Sequence, residues 1–276
     1  ETIVANRYAM SDSVSKQNRN SIRVPVSPPG SGPIPFSVDF TAGPDRDQSN
    51  DGASIAMNYL SWGDLAAYAD WAGLRPMTEL EYEKASRGPV TPEPLAFAWG
   101  SSKIKEPSSP SNAGENSETV TEMGEDGLSN YKEGTSVING PLRVGFAAQA
   151  NNLRIQSGAS YYGVMDLTGN VSERVVSAGH GKGRNFNGTH GDGVLHDNGN
   201  AYGLDLFWPG NVQSGGSTTY EVTGADGAGL RGGSWNTTSD WTDNTSELHT
   251  SDRRNAALIN DDRHNEYGGR CARTAE

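Results

Sequence analysis

The stretch "SWGDLAAYADWAGLRPMTELEYEKASRG", residues 61–88, carries the clearest helical periodicity in the chain and decides its fold class. Its first half begins at Ser61, a suitable N-cap, and stops at Gly73. Between these two residues apolar positions recur at the spacing of one helical face, which predicts a helix that packs its inner side on a core. The positions that define this face are Leu65, Tyr68, Ala69 and Ala72.

The second half of the same stretch predicts another helix. Thr78 is followed three residues later by Glu81, the pattern of a capping box, and the segment ends at Gly88. After Gly88 short apolar runs such as "YYGVMDL" (161–167) and "LRGGSW" (230–235) alternate with Gly, Asn, Asp and Ser clusters, which predicts short strands beneath long loops. Two helices followed by a β-rich remainder indicate an α+β fold rather than alternating βαβ units.

Two other segments have a different character. Residues 1–50 are polar and contain "PVSPPGSGPIPF", whose proline density favours extended structure. The alternation in the neighbouring "SIRVPV" and "PFSVDF" predicts edge strands. Residues 178–229 are rich in glycine and predict a long irregular excursion.

The composition excludes several classes of function. The 276 residues carry a net charge of −12 without a basic stripe, which argues against a nucleic-acid partner because phosphate backbones bind Lys and Arg clusters. One cysteine, Cys271, excludes an internal disulfide framework. No run approaches the about 18 apolar residues that a membrane span requires. The counts of Gly 35 and Pro 14 point to a loop-rich domain.

Three segments, in this order, resemble the formylglycine-generating-enzyme (sulfatase-modifying factor) family. Residues 57–88 resemble its helix pair. "YYGVMDLTGNVSERV" (161–175) resembles its Gly-Leu-Tyr-Asp-Met-x-Gly-Asn-Val-x-Glu motif. "LRGGSW" (230–235) with "YGGRCAR" (267–273) resembles its closing Arg-Gly-Gly-Ser-Trp and Gly-Phe-Arg-Cys-Ala segments. Each motif alone is weak, but three in register are specific.

The resemblance extends over residues 55–273 and implies the C-type-lectin-like α+β fold of the formylglycine-generating-enzyme type. That fold has two main helices, small twisted antiparallel sheets and much loop. We therefore expect an N-terminal extended segment, residues 1–50, and one domain, residues 51–276, that ends in a distinct region at 230–273.

The resemblance also bears on catalysis. The family's enzymes oxidise a substrate cysteine with two cysteines that follow the Gly-Gly-Ser-aromatic segment, and in this chain those places hold Thr237 and Thr242. A threonine hydroxyl does not replace a thiolate as a copper ligand. Cys271 matches the family's Arg-Cys-Ala position, where we expect a small buried hydrophobe. The chain is therefore predicted not to be an enzyme.

Histidine chemistry is the next alternative, because iron-dependent sulfoxide synthases of this fold use three histidines. His180, His190 and His196 cluster in a Gly-rich loop, but no pair in the chain has His-x3-His spacing on a recognisable helix. A polar loop is the preferred interpretation, and a metal site is the alternative.

Calcium is better supported as a structural metal, since hard cations take carboxylates and backbone carbonyls and organise loop-rich folds. The resemblance implies one site made by side chains and carbonyls of the "MDLTGNVSE" segment and a second site made by "SNAGEN" with "GEDGLS". The residues implied are Asp166, Gly169, Val171 and Glu173 for the first site, and Asn112, Ala113, Asp126 and Leu128 for the second.

A non-enzymatic branch of this fold, the variable proteins of diversity-generating retroelements, resembles the chain most. There a reverse transcriptase that misreads adenines rewrites a C-terminal segment between the two closing motifs. In this chain that segment is rich in Asn, Thr, Ser, Asp, His and Arg. Small polar residues with a few aromatics are also what adaptable binding surfaces use.

The resemblance therefore implies a receptor- or adhesin-like protein that displays a diversified surface, at the cell surface, in secreted form or on a phage particle. Its partner would be a protein or glycan on another cell or host. The alternatives are a carbohydrate- or peptide-binding member without diversification and a formylglycine-generating oxidase. The predicted contact residues are Asn236, Thr237, Thr238, Asp240, Trp241, Thr242, Asn244, His249, Asn260, Asp262, His264, Asn265 and Tyr267, with Arg231, Trp235, Arg270 and Cys271 as structural frame.

Overall fold

The computed structural model describes residues 4–41, 43–121, 124–132, 138–202, 207–213, 220–238 and 247–275. Its elements are β1 (Ile22–Arg23), β2 (Ser37–Val38), α1 (Trp62–Trp71), β3 (Arg75–Pro76), α2 (Glu79–Arg87), β4 (Ile104–Lys105), β5 (Gly127–Leu128), β6 (Ser172–Val176), α3 (Gly181–Arg184), β7 (Asn211–Gln213), β8 (Tyr220–Val222), β9 (Ala228–Arg231), β10 (Tyr267–Gly269) and β11 (Cys271–Ala272). Helices and small sheets under long loops make this an α+β fold, as predicted. The sheets are mixed rather than antiparallel as expected, because β10 pairs in parallel with β6 and β4 pairs in parallel with β5.

Helix α1 begins where its sequence predicts. The Ser61 side chain accepts from the Asp64 backbone N–H, while the Asp64 carboxylate accepts from the Ser61 N–H, so both open donors of the first turn are satisfied. The buried face differs from the prediction. Leu65 and Ala69 are buried as predicted, but Tyr68 is 54% exposed and Ala72 is exposed as well. Trp62, Ala66 and Asp70 complete the buried face. The reason is the Trp62 indole, which donates to the Pro209 carbonyl and turns the helix toward the 207–228 region.

Helix α2 also confirms its predicted capping box. Thr78 and Glu81 cap each other's backbone N–H, and the helix closes at Gly88 with φ 65°. A side chain at residue 88 would collide with the ring of Tyr161, so the position requires glycine for space as well as for conformation. Inside the helix, the buried Tyr82 hydroxyl donates to the Leu167 carbonyl at 2.5 Å and ties α2 to the segment before β6.

The central sheet has the order β10-β6-β9. β6 pairs in parallel with β10, with Tyr267 opposite Ser172, and antiparallel with β9, with Arg231 opposite Glu173. β11 then pairs with β3, Cys271 opposite Pro76. The chain from 232 to 266 therefore leaves one side of β6 and returns on its other side, so the two closing motifs form a frame about one buried strand.

The strand predictions hold in part. β1 and β2 pair antiparallel, with Ile22 opposite Val38, in agreement with the edge strands predicted for the N-terminal segment. "LRGGSW" contributes only its first residues to β9. "YYGVMDL" (161–167) forms turns and irregular backbone rather than a strand, because both of its tyrosines face outward at 41% and 54% exposure.

The glycine-rich excursion is anchored rather than free in its described parts. The buried Asp70 carboxylate accepts from the backbone N–H groups of Asp192 and Tyr202 at 3.0 and 3.1 Å. Farther along, β7 and β8 form a hairpin, and Trp208 lies in the core beside Trp62. No helix in the described ranges is long and apolar enough to cross a membrane.

Candidate functional site

The polar segment between the two closing motifs, residues 236–266, is called the polar run here. Hydrogen bonds tie its start to its end. The Trp235 indole is buried and donates to the Asn265 carbonyl at 3.1 Å. The Ser234 hydroxyl donates to Glu266, which also accepts from the Asn236 amide at 3.2 Å. The frame predicted from the two closing motifs is thus joined by direct hydrogen bonds.

Thr237 lies within this junction and serves a turn. Its hydroxyl accepts from the Ser234 backbone N–H at 2.9 Å, and its carbonyl accepts from the Lys132 N–H at 3.0 Å. Thr238, the next residue, is exposed. Thr242, the other threonine that replaces a family cysteine, lies outside the described residues, as do Asp240, Trp241 and Asn244.

The middle of the run is interior structure. His249 is only 6% exposed and stacks on Phe97 with ring centroids 4.9 Å apart, so its placement favours packing over contact with a ligand. Burial lowers the pKa of His249 and keeps the imidazole neutral. The neighbouring Leu248 and Thr250 are buried as well.

Arg253 fixes this buried part of the run to α2. Its guanidinium donates to both carboxylate oxygens of Glu79 at 2.9 and 2.8 Å. Arg231 reaches the same carboxylate at 3.2 Å and also pairs with Glu83 at 2.8 Å. Burial of Glu79 opposes its ionisation, but the hydrogen bonds from Arg253 and from the Ala178 N–H outweigh it, and the pKa of Glu79 lies below its ordinary value.

The end of the run is an exposed loop, residues 257–264, in which only Asn260 is partly covered. It carries Asp262 and His264, two of the predicted contact residues, and is followed by the half-buried Asn265. Leu258 and Ile259 are also open, at 37% and 50% exposure. The structure therefore brings these predicted residues together on one surface loop.

A buried side chain that the sequence does not point to binds the backbone of this loop. Arg174, buried in β6, donates to three carbonyls: Nε to Leu60 at 2.7 Å, Nη1 to Asn260 at 2.6 Å and Nη2 to Asp262 at 2.8 Å. Its guanidinium lies 5.1 Å from the Tyr267 ring centroid. Desolvation lowers the pKa of Arg174 to about 10, which leaves it charged at neutral pH.

Further support comes from the segment just before α1. The Tyr59 N–H donates to the His264 carbonyl at 3.1 Å, and the Asn58 amide donates to the Asn265 carbonyl at 2.9 Å. A signal for this support existed in the sequence: β6 reads Ser-Glu-Arg-Val-Val, and an arginine next to two valines in a buried strand needs hydrogen-bond partners. What it did not reveal was that the partners are loop carbonyls.

Tyr267, the last of the predicted contact residues, is half-buried in β10. Its ring packs against His264, with centroids 4.8 Å apart, and lies beneath Arg174. Burial raises the pKa of its hydroxyl. Tyr267 thus supports the loop and presents part of its ring to solvent.

Cys271 is half-buried in β11 and packs against the cluster around Trp62. Burial raises the pKa of its thiol to about 11, so the nucleophilic thiolate is scarce at neutral pH. This agrees with the expected packing role.

The first predicted metal site contains two carboxylates and one cation. Glu173 is 1% exposed; its Oε1 accepts from Arg270 at 2.5 Å, while its Oε2 is buried without a hydrogen-bond partner among the described residues. The Asp166 carboxylate accepts from the Gly145 N–H at 2.7 Å. Burial raises the pKa of Asp166, and raises that of Glu173 to about 7 despite Arg270. Arg270, and Arg143 acting on Asp166, offset the two carboxylates only in part, and the unpartnered Glu173 Oε2 is a donor that a hard cation fits.

The second predicted metal site is less developed. Asn112 has a left-handed backbone with φ 55°, and its amide donates to Ser117 at 3.2 Å. Asp126 precedes β5, which carries Leu128 and pairs in parallel with β4. In the described part of the chain no hydrogen bond links the Asn112–Ala113 turn to Asp126 or Leu128.

The three clustered histidines have separate contacts. His180 caps α3, His190 accepts from the Thr274 N–H at 3.0 Å, and His196 packs on Tyr202. Over the described ranges no group of three or more His, Cys, Asp or Glu side chains is arranged to hold a metal ion.

Comparison with known proteins supports the family resemblance. A family model described as the sulfatase-modifying factor enzyme 1-like domain matches residues 40–275. A formylglycine-generating enzyme of Thermomonospora curvata is 31% identical over 115 residues, a match that spans 42% of this chain and 31% of that enzyme. No solved structure matches the chain. The N-terminal residues before 40 lie outside the family match.

Proposed function

The chain belongs to the sulfatase-modifying factor enzyme 1-like family, and on that premise we propose that it is a ligand-binding protein whose C-terminal surface is diversified by a diversity-generating retroelement. The observation that carries the proposal is the way residues 260–265 are held. Buried framework groups bind their carbonyl oxygens, whereas their side chains face solvent to varying degrees.

Anchoring through carbonyls suits a surface whose side chains change. Every residue type offers the same backbone acceptor, so Arg174, Asn58 and Trp235 would keep their hydrogen bonds whatever side chains stood at 260, 262 and 265. The described contact surface consists of Asn236, Thr237, Thr238, Asn260, Asp262, His264, Asn265 and the open part of Tyr267. His249 belongs to the packing beneath it.

The absence of catalysis is part of the proposal. Thr237 stands where the family's oxidases carry one cysteine, and its hydroxyl is engaged in a turn. The rival function is a formylglycine-generating oxidase. Incubating the full chain with copper and a cysteine-containing sulfatase-type peptide is expected to give no formylglycine. Copper-dependent conversion of the peptide cysteine to formylglycine would show that the chain is an oxidase instead.

Genomic DNA provides the direct test of diversification. We expect an adenine-biased near-copy of the segment that encodes residues 230–273 beside a reverse transcriptase gene. The partner would be a protein or glycan on another cell or host, and display from a bacterial surface, secretion or a phage particle would expose the loop to it. If no such repeat exists, a binding member without diversification becomes the better proposal.

The same proposal predicts tolerance to substitution in the exposed loop. Replacing Asn260, Asp262 and His264 together by serine is expected to change the free energy of unfolding by about 1.5 kcal/mol or less, because exposed side chains each contribute within about 0.5 kcal/mol. The Asn260 side chain accepts from the Asp262 N–H at 2.8 Å, and a serine hydroxyl at 260 can accept the same bond more weakly. Urea unfolding measures this. As a control, Asn58→Leu should cost about 1–3 kcal/mol, since Asn58 is fully buried and holds carbonyls. Unfolding of the triple variant would show that the loop is structural.

We also propose calcium as a structural ion at Asp166 and Glu173, with the carbonyls of Gly169 and Val171, and at the Asn112–Leu128 site. Bound calcium would give the unpartnered Glu173 Oε2 a ligand to bind and would add to the positive charge that Arg270 already places beside Glu173. After treatment with EGTA, calcium at about 100 times its Kd is expected to stabilise the protein by about 3 kcal/mol. Calorimetric scans should show a higher Tm in wild type and a smaller rise in Glu173→Gln. An unchanged Tm with no calcium bound would remove the ion from the proposal.

A further inference from the structure

A cavity of about 580 Å³ lies between the N-terminal segment and the exposed C-terminal loop. Tyr8 and Val24 form its floor and are almost fully buried, at 1% and 4% exposure. Val4 and Phe36 stand open at its wall, at 46% and 51% exposure. Met10 and Tyr59 complete the apolar lining. The volume falls within the range of about 300–1,000 Å³ typical of ligand pockets.

The cavity adjoins the proposed recognition loop directly. Arg263, a residue of that loop, lines the cavity and is fixed by a bidentate pair with Asp64 at 2.7 and 2.8 Å. Tyr59 lines it as well and donates its N–H to the His264 carbonyl. Most of the other lining comes from residues before 40, outside the family match. A partner seated on the loop would therefore reach the cavity without a gap in the surface.

The chemistry of the lining selects among partners. Seven of the eleven lining residues are apolar or aromatic, and the hydroxyls of Tyr8 and Tyr59 already donate to Asp39 and Asn18. Ser11, whose buried Oγ has no hydrogen-bond partner among the described residues, is the other uncharged hydroxyl of the lining, so a sugar buried there would leave most of its own hydroxyls unsatisfied at a cost. The two cations at the edge are already neutralised, Arg7 by Asp12 at 2.6 Å and Arg263 by Asp64. A large apolar side chain fits this environment, because burying it removes apolar surface from water without leaving polar groups unpaired.

We propose that the N-terminal segment makes this cavity a receptor for a large apolar or aromatic side chain of a protein partner. The inference rests on the proposed binding function and deepens it, since it selects protein over glycan and assigns part of the surface to residues 4–36. In this arrangement the fixed cavity supplies an anchor common to all variants, and the exposed loop beside it supplies selectivity.

The test uses the full chain with labelled methyl groups and N-acetyl-L-tryptophanamide as the probe, observed by NMR. Titration is expected to shift the signals of Val4, Met10 and Val24 saturably. Ala9→Trp places an indole in the cavity lining and should weaken the apparent affinity about tenfold or more, a loss of about 1.4 kcal/mol. Ala72→Trp, an equal change at an exposed site after α1, should leave the affinity unchanged.

Two further arms keep the outcome decisive. N-acetylglucosamine and galactose are expected to leave the three signals unmoved, and shifts from a sugar without shifts from the amide would overturn the assignment in favour of a glycan. Phe36→Ala removes an exposed wall residue, so it should weaken binding severalfold even if Ala9→Trp fails to fold. If the amide shifts none of the signals, the cavity is not such a receptor. The proposed binding function is not rejected by that result, because the search for the DNA repeat tests diversification independently.

Discussion

Replacing Glu79 by glutamine is expected to lower the free energy of unfolding by about 3 kcal/mol, which is the cost of breaking a buried ion pair on one side. Glu79 is fully buried and accepts from Arg231, Arg253 and the Ala178 N–H. Glutamine keeps the shape but offers one acceptor oxygen and no charge, so the buried Arg231 loses half of its compensation. Urea unfolding at neutral pH measures the difference.

The pH dependence of this loss has a definite sign. Because the folded state lowers the pKa of Glu79 below its ordinary 4.5, the carboxylate stabilises the fold above the unfolded pKa, and that contribution disappears as pH falls through the folded pKa. Wild type and Glu79→Gln should therefore converge in stability in acid. A constant difference between them at all pH values would mean that shape, not charge, explains the loss.

Glu83→Gln is the matched control for this experiment. Glu83 lies on the same helix and pairs with the same Arg231 at 2.8 Å, but its side chain is 33% exposed. An exposed pair contributes about 0–1 kcal/mol. If the two variants lose the same stability, burial is not what makes Glu79 important. Glu79 also bonds Arg253 and so fixes the buried middle of the C-terminal run to α2.

The parts of this molecule that were predictable from sequence are those set by local contacts. Ser61 and Thr78 mark the starts of the two helices in the sequence, because an N-cap and its N3 partner lie three residues apart. The buried face of α1 is predicted only in part: Leu65 and Ala69 lie in the core, but Tyr68 and Ala72 are exposed, because the packing of Trp62 and Trp208 in one cluster sets which side of the helix faces inward. Propensity cannot supply that information.

The candidate site likewise has features that the local sequence indicates and others that depend on contacts between distant residues. The family resemblance implies that Thr237 stands in place of a catalytic cysteine, and the proposal of recognition rather than oxidation starts from that implication. The partners of Arg174 and Arg253 lie 86 and 174 residues away along the chain, so no local pattern indicates them. The cavity was likewise unforeseen, because it joins Val4 and Phe36 to a loop at the other end of the chain.

Arg174→Lys is expected to loosen the exposed loop, residues 257–264, more than the rest of the fold, and to lower the free energy of unfolding by about 3 kcal/mol. The planar guanidinium binds the carbonyls of Leu60, Asn260 and Asp262 at once, and hydrogen bonds from charged donors contribute about 1.5–3 kcal/mol each. A lysine ammonium keeps the charge but is a point donor that does not span three acceptors. Hydrogen exchange at residues 260–265 should accelerate more than exchange in α1.

Arg263→Lys provides the comparison within the same loop. Arg263 bonds Asp64 on the surface, with side-chain exposures of 35% and 20%, so its replacement should cost about 1 kcal/mol or less and leave exchange at 260–265 nearly unchanged. If both variants behave alike, the loop is held by its side chains, and free variation of those side chains would unfold it. If only Arg174→Lys loosens the loop, the buried strand β6 maintains the backbone of a surface whose side chains are free to change.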